Sequence, residues 1–144
     1  MLRSYDPRRV VVIFGGARIR GFMPGQAISA EPMTDGSSSV AGMDGDVARA
    51  LNTDERWTIT LNLMMTSPSN TVLSGAYNLD KASNGDGVVP FLLEDLNGDT
   101  IVSGAQAWIQ RLPGVTYSNE IEGRSWQIIL NADVVNIGAS GIVN

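Results

Sequence analysis

The side chains best able to do chemistry in this chain are its carboxylates. The 144 residues include 15 Asp and Glu but no His and no Cys. Without imidazole or thiol there is no unperturbed group titrating near neutrality, no thiolate nucleophile and no zinc site of the usual kind. Acid–base work would fall to pairs such as Glu94/Asp95 or Glu120/Glu122, the residue types of glycoside hydrolysis. Neighbouring acids at strand ends are ordinarily solvated, and spacing alone does not set two carboxylates across a scissile bond, so both pairs read as solvated acids. Asp95, Asn97 and Asp99 repeat like the opening of a calcium loop, yet no Glu stands at the twelfth position. Asp80 to Gly87 likewise lacks a closing bidentate carboxylate. Both read as turns. No catalytic residue, metal ligand or cofactor site is nominated, and the chain reads as a non-enzyme.

Binding chemistry is equally sparse. Gly15-Gly16 lacks the surrounding glycines or lysine that cradle phosphates, so it reads as a tight turn. Trp57, Trp108 and Trp126 would suit a sugar-stacking platform, which makes a carbohydrate-binding module the rival reading. Two of them alternate with Ile and Leu, which favours a core role. A net charge of -5 argues against binding DNA at equilibrium, since phosphate affinity rests on clustered Lys and Arg. The distribution of charge says more. Residues 1 to 30 set Arg3, Arg8, Arg9, Arg18 and Arg20 against Asp6 alone, whereas residues 31 to 55 set Glu31, Asp35, Asp44, Asp46, Asp54 and Glu55 against Arg49. Two such segments are complementary between copies of one chain, and complementarity of this kind sets docking register. Among the ten basic residues Lys81 is the one lysine, a bias suited to bidentate carboxylate contacts across interfaces.

The elements that must position these residues are mostly strands. Arg9 to Phe14 is β-branched and aromatic, Gly15-Gly16 can supply positive φ angles, and Ala17 to Phe22 can return as a partner strand. Gln26 to Glu31 alternates weakly. A long Gly/Ser/Asp-rich loop at about 32–54 then contains few large side chains, exceeds the usual connection length and is the first place to look for a partner. Arg56 to Met65 places Trp57, Ile59, Leu61, Leu63 and Met65 on one face against Thr58, Thr60 and Asn62, the pattern of a strand buried on one side. Ser67-Pro68 reads as a helix N-cap with Pro at the first helical position. The helix runs through Val72, Leu73, Ala76 and Tyr77 and ends before Asp80 to Gly87. Val88 to Glu94 and Thr100 to Arg111 form a second hairpin about Asp95 to Asp99. In its second strand Ile101, Ser103, Ala105, Ala107 and Ile109 alternate against Val102, Gly104, Gln106 and Trp108. Arg124 to Asn131 and Val134 to Ile137 complete the set.

The total is mainly β: a β-sandwich or small barrel of about six to eight antiparallel strands with one short α-helix, in a single domain spanning 1–144. Crossover helices for a parallel sheet are missing, and the open edges of such a sheet invite another chain. Apolar runs fall far short of the roughly 20 residues a membrane helix needs. No small-residue cleavage site follows the N-terminal arginines, so no membrane partner and no secretory leader are expected.

The chain resembles the tail tube subunits of contractile-tailed bacteriophages, a virion structural family. The resemblance rests on Tyr5-Asp6-Pro7 before the Val10 to Gly16 strand and turn, on Gly21-Phe22, and on Trp57 through Met65 running into Thr66-Ser67-Pro68-Ser69-Asn70. It continues through Pro90 to Gly98, Ala107-Trp108-Ile109 and the strand at Trp126. It implies a subunit that partners itself in six-membered rings stacked into a tube, inside a sheath and alongside baseplate, terminator and tape measure proteins. Phage DNA would pass through the lumen unbound. Assembly is expected in the bacterial cytoplasm, with the product residing in the virion tail. A tail-terminator or baseplate protein of the same fold is the second alternative. On this view Glu31, Asp44, Asp46, Asp54 and Glu55 are candidate lumen or ring–ring acids, and Arg3, Arg8 and Arg9 candidate inter-subunit bases.

Overall fold

A computed structural model describes residues 1–143 of the chain. In order these form β1 (Arg3–Ser4), a 3₁₀ turn (Pro7–Arg9), β2 (Val10–Phe14), β3 (Ala17–Arg18), β4 (Ile28–Pro32), β5 (Ser37–Ala41) and β6 (Val47–Leu51). β7 (Arg56–Met64), α1 (Ser69–Ser83), β8 (Val89–Asp95), β9 (Ile101–Arg111), β10 (Gly123–Asn131), β11 (Val134–Asn136) and β12 (Ile142–Val143) follow. The fold is mainly β, with antiparallel sheets and one α-helix, as expected. The main sheet runs β3-β2-β8-β9-β10-β7-β4, with β11 also on β9.

Backbone bonds around residues 18–23 close this sheet on itself. At one end Arg18 pairs with Ile13 of β2, and the Ile19 amide donates to the Val12 carbonyl at 2.9 Å. At the other, Phe22 bridges to Leu63 of β7, and the Gly21 carbonyl accepts from the Met64 amide at 2.8 Å. A barrel results, and closure removes the edges that these strands would otherwise expose. The Gly15-Gly16 turn that starts the return strand has φ of 59° and 85°, which glycine adopts without penalty.

The alternation read in Arg56 to Met65 holds: Ile59, Leu61 and Leu63 are completely buried. They meet Val12, Phe14, Phe91, Leu93, Trp126, Ile128 and Leu130 in one core. Trp126 is therefore a core residue; Trp57 packs against the core half-buried, and Trp108 pairs with Ile129 of β10. The second hairpin departs from simple alternation. Phe91 pairs with Gly104 but Val89 with Ala107, so β9 bulges by one residue between them. The buried side chains are Val102 before the bulge and Ala107 and Ile109 after it, because an extra residue flips the faces.

The helix also departs from its expected limits. It begins at Ser69 with Pro68 as the cap residue, and it continues to Ser83, ending on Asn84 in the left-handed conformation at φ 57°. The polar residues at Asp80 and Ser83 stay helical because Ser83 donates back to the Leu79 carbonyl at 2.5 Å, while Asp80 accepts from the Gly87 amide at 3.2 Å.

Two buried asparagines tie the segments together. Asn70 donates to the carbonyls of Met64 and Ser67 at 2.9 and 3.1 Å and accepts from the indole N–H of Trp126 at 2.9 Å. Beside it Ser67 donates to the Arg20 carbonyl at 2.5 Å and Ser69 accepts from the Arg20 amide at 3.0 Å. The Thr66 to Asn70 motif thus fastens the helix start to β7, β10 and the barrel-closing segment. Asn97, in the β8–β9 turn, accepts from the Asp6 amide at 3.1 Å and donates to the Asp6 carbonyl at 2.9 Å. Its own carbonyl takes the Gly141 amide at 3.2 Å. A Cβ on the adjacent Gly98 would strike the Ala139 carbonyl. The turn therefore clasps both ends of the described chain, next to where β1 pairs with β12.

Candidate assembly surface

The stretch at about 32–54, expected as a loop, contains a two-stranded antiparallel hairpin. Ser37 pairs with Leu51 through to Ala41 with Val47. Small and polar residues permit strand pairing here, because nothing in the ladder demands bulk, yet they supply no side chains to anchor it to the barrel. Every residue from 33 to 51 is exposed. Opposite residues in such a ladder share a face, so Ser38, Val40, Ala48 and Ala50 make one uncharged face. Ser37, Ser39, Ala41, Val47, Arg49 and Leu51 make the other. An isolated two-stranded hairpin is marginal in water, and Val40, Val47 and Leu51 are each at least 70% exposed. This arm is the part of the molecule least covered by the rest of the described chain.

Its root is ordered. Asn52 donates to Thr34 at 2.9 Å and to the Asp35 carbonyl at 2.8 Å. Asp54 takes two bonds from the Arg56 guanidinium, both at 2.9 Å, and these hold its carboxyl down at about 2.

The candidate acids fall into two groups. Glu31 at the end of β4, Asp54 and Glu55 lie at the arm root, linked through the Met33–Arg56 backbone bond and the Thr34–Asp54 hydrogen bond of 3.2 Å. Asp44 and Asp46 sit at the tip, one five-residue strand away, or about 17 Å. The candidate bases share the N-terminal segment. Arg3 lies on β1, while Arg8 and Arg9 lie in the 3₁₀ turn that Asp6 caps by accepting the Arg8 amide at 2.9 Å. Arg8 is already paired with Asp6 at 3.0 Å, and its side chain remains 89% exposed. That guanidinium lowers the Asp6 carboxyl below its ordinary value. Arg18 reaches the Arg8 carbonyl at 3.4 Å, which adds a third guanidinium to the patch.

Sequence reasoning missed the feature beside this patch. An open groove of about 1040 Å³ runs between the N-terminal segment and residues 22–29, with Tyr5, Pro7, Val10, Phe22, Ile28 and Leu93 among its walls. These residues are far apart in sequence: the β2–β8 pairing sets Leu93 near Val10, and barrel closure at Phe22 brings up the facing wall. Asp95 at its border is desolvated, which raises its carboxyl, but hydrogen bonds from Ser140 and Asn97 outweigh this and leave it below 3.8.

The described residues thus form a small closed barrel with one helix, two polar clasps and an exposed arm. Residues 16–138 match the family described as the bacteriophage PhiTE tail tube protein, and the chain belongs to that family. It is 27% identical over 132 residues to structural protein ORF10 of Pseudomonas phage KPP10, covering 87% of this chain and 76% of that protein. The fold is similar to the sheath/tube terminator of the extracellular contractile injection system PVC, with TM-score 0.62, 18% identity, and 96% and 99% of the two chains covered. It is also similar to the tube-terminating cap of the anti-feeding prophage, with TM-score 0.58, 15% identity, and 97% and 94% covered. The family and the fold are thus those the sequence motifs pointed to.

Proposed function

We propose that this chain is a tail tube subunit that polymerises through its arm into stacked rings surrounding a DNA conduit. The observation carrying this reading is the arm itself: a paired hairpin with both faces in solvent, on a barrel whose other long strands are already closed. Contact between one surface and a different surface of the next copy closes rings or propagates filaments, depending on the rotation. A conduit must not retain its cargo, and an acidic wall repels phosphate. The root acids Glu31, Asp54 and Glu55 are the residues we assign to the lumen. Arg3, Arg8 and Arg9 are assigned to contacts between copies. Six subunits per ring, a sheath outside, and baseplate, terminator and tape measure partners in a virion tail assembled in the host cytoplasm complete the proposal. The chain has no enzymatic role in it.

Negative-stain microscopy of the purified protein tests this directly. Long tubes are expected. Single rings that never stack would instead identify a terminator, and a small monomer responding to glycans would identify a sugar-binding module.

A further inference from the structure

We infer that the tip of the arm docks into the groove beside the 3₁₀ turn of a second copy, with Met43 as the inserted side chain. This rests on the tube reading above and names the contact that makes stacking possible. The tip is a preformed turn: the Gly42 amide donates to the Asp46 carbonyl at 2.7 Å and the Gly45 amide to the Gly42 carbonyl at 3.1 Å. At its apex Met43 is fully exposed. An apolar, unbranched side chain held out in water on an ordered turn is shaped to fill another surface.

The groove offers that surface. Its apolar walls come from Tyr5, Pro7, Val10, Phe22, Ile28 and Leu93, and its volume of about 1040 Å³ admits the methionine together with turn backbone. Charge sets the orientation. Asp44 and Asp46 flank Met43 closely, and among the described residues neither belongs to an ion pair. Next to Pro7 stand Arg8, Arg9 and Arg18, against the carboxylates of Asp6 and of Asp95 at the groove border. The two tip acids thus meet a surface with a net excess of one guanidinium. Because tip and groove are different surfaces, the contact is head-to-tail, and where its rotation does not close a ring it repeats along the tube.

The cysteine-free chain makes this testable by crosslinking. Met43→Cys and Gln26→Cys, both at exposed positions, are combined in one chain, which is allowed to assemble and then oxidised. A ladder of dimers, trimers and larger species on a non-reducing gel is expected from the double variant, and monomer from each single variant. Tubes without a ladder would overturn the docking and leave the tube reading standing. A ladder stopping at dimer from Met43→Cys alone, tip against tip, would do the same. A chain that stays monomeric and unlinked would overturn both. Independently, Met43→Asp should abolish tubes while leaving thermal unfolding unchanged, and wild-type tubes from that variant would overturn the inference.

Discussion

The barrel and the arm solve the same problem in opposite ways. Both are antiparallel strands, but β7 buries Ile59, Leu61 and Leu63 completely, while β5 and β6 bury nothing. The barrel satisfies its polar groups internally through Asn70 and Asn97; the arm has a hydrogen-bonded ladder and no core. A strand therefore needs only pairing to form, but needs a second surface to be worth forming. In the barrel the chain supplies that surface to itself, and in the arm we propose that a neighbouring copy supplies it.

The comparison breaks most severely at Asn70. Replacing it with Ala leaves the buried Trp126 indole N–H without its partner and removes the side-chain bonds to the Met64 and Ser67 carbonyls, which keep the Ser67 and Asn70 backbone amides. The expected loss is about 3 kcal/mol of folding stability, read from the urea midpoint. A change below about 1 kcal/mol would show that the buried hub is not what holds the helix to the barrel.

Acid should open the second clasp more gently. The folded Asp95 carboxyl lies below its ordinary value of 3.8, so its contribution is fully present above that pH. It is lost as pH falls through the lower folded value. Amide exchange at residues 139–143 should therefore accelerate below pH 3.8, and the Asp95→Asn variant should lack most of this pH dependence.

The smallest effect on the isolated chain belongs to the arm. Val40→Asp places a charge on its uncharged face, 70% exposed in the wild type, and should alter folding stability by no more than about 0.5 kcal/mol. The same variant should fail to form tubes under the microscope. Stability loss comparable to that of the Asn70 variant would mean the arm is part of the folding unit after all.

Legibility in the sequence followed the same division. Strands whose one face is buried announce themselves by alternation, so Arg56 to Met65 and Arg124 to Asn131 were readable. The β9 bulge was not, because Ile101 to Ile109 keeps an unbroken period-two reading through Ala105 and Gln106, and the extra residue is visible only against the partner strand. The hairpin within 32–54 was read as loop because pairing of Ser, Ala and Val is selected by the backbone ladder and has no hydrophobic signature. The tail family was legible from Thr66 to Asn70 and Asp95 to Gly98, and the structure shows why these stretches are distinctive: each surrounds a buried asparagine with several obligatory partners. The candidate acids were readable as a cluster in sequence, but their separation into root and tip required knowing that strands lie between them. The groove combines residues 5 to 29 with Leu93, Asp95, Thr100 and Ser140, a juxtaposition made jointly by the β2–β8 pairing, the terminal clasp and barrel closure.

The arm leaves β4 and returns directly into β7, and those two strands are themselves paired from Ile28–Leu61 to Pro32–Trp57. Tension applied at the tip therefore runs along both strands into the nine-residue pairing of β7 with β10. Its hydrogen bonds lie across that direction and are strained together, in shear, instead of peeling one after another. A tail pulled lengthwise would thus hang each subunit from the broadest seam of its own barrel.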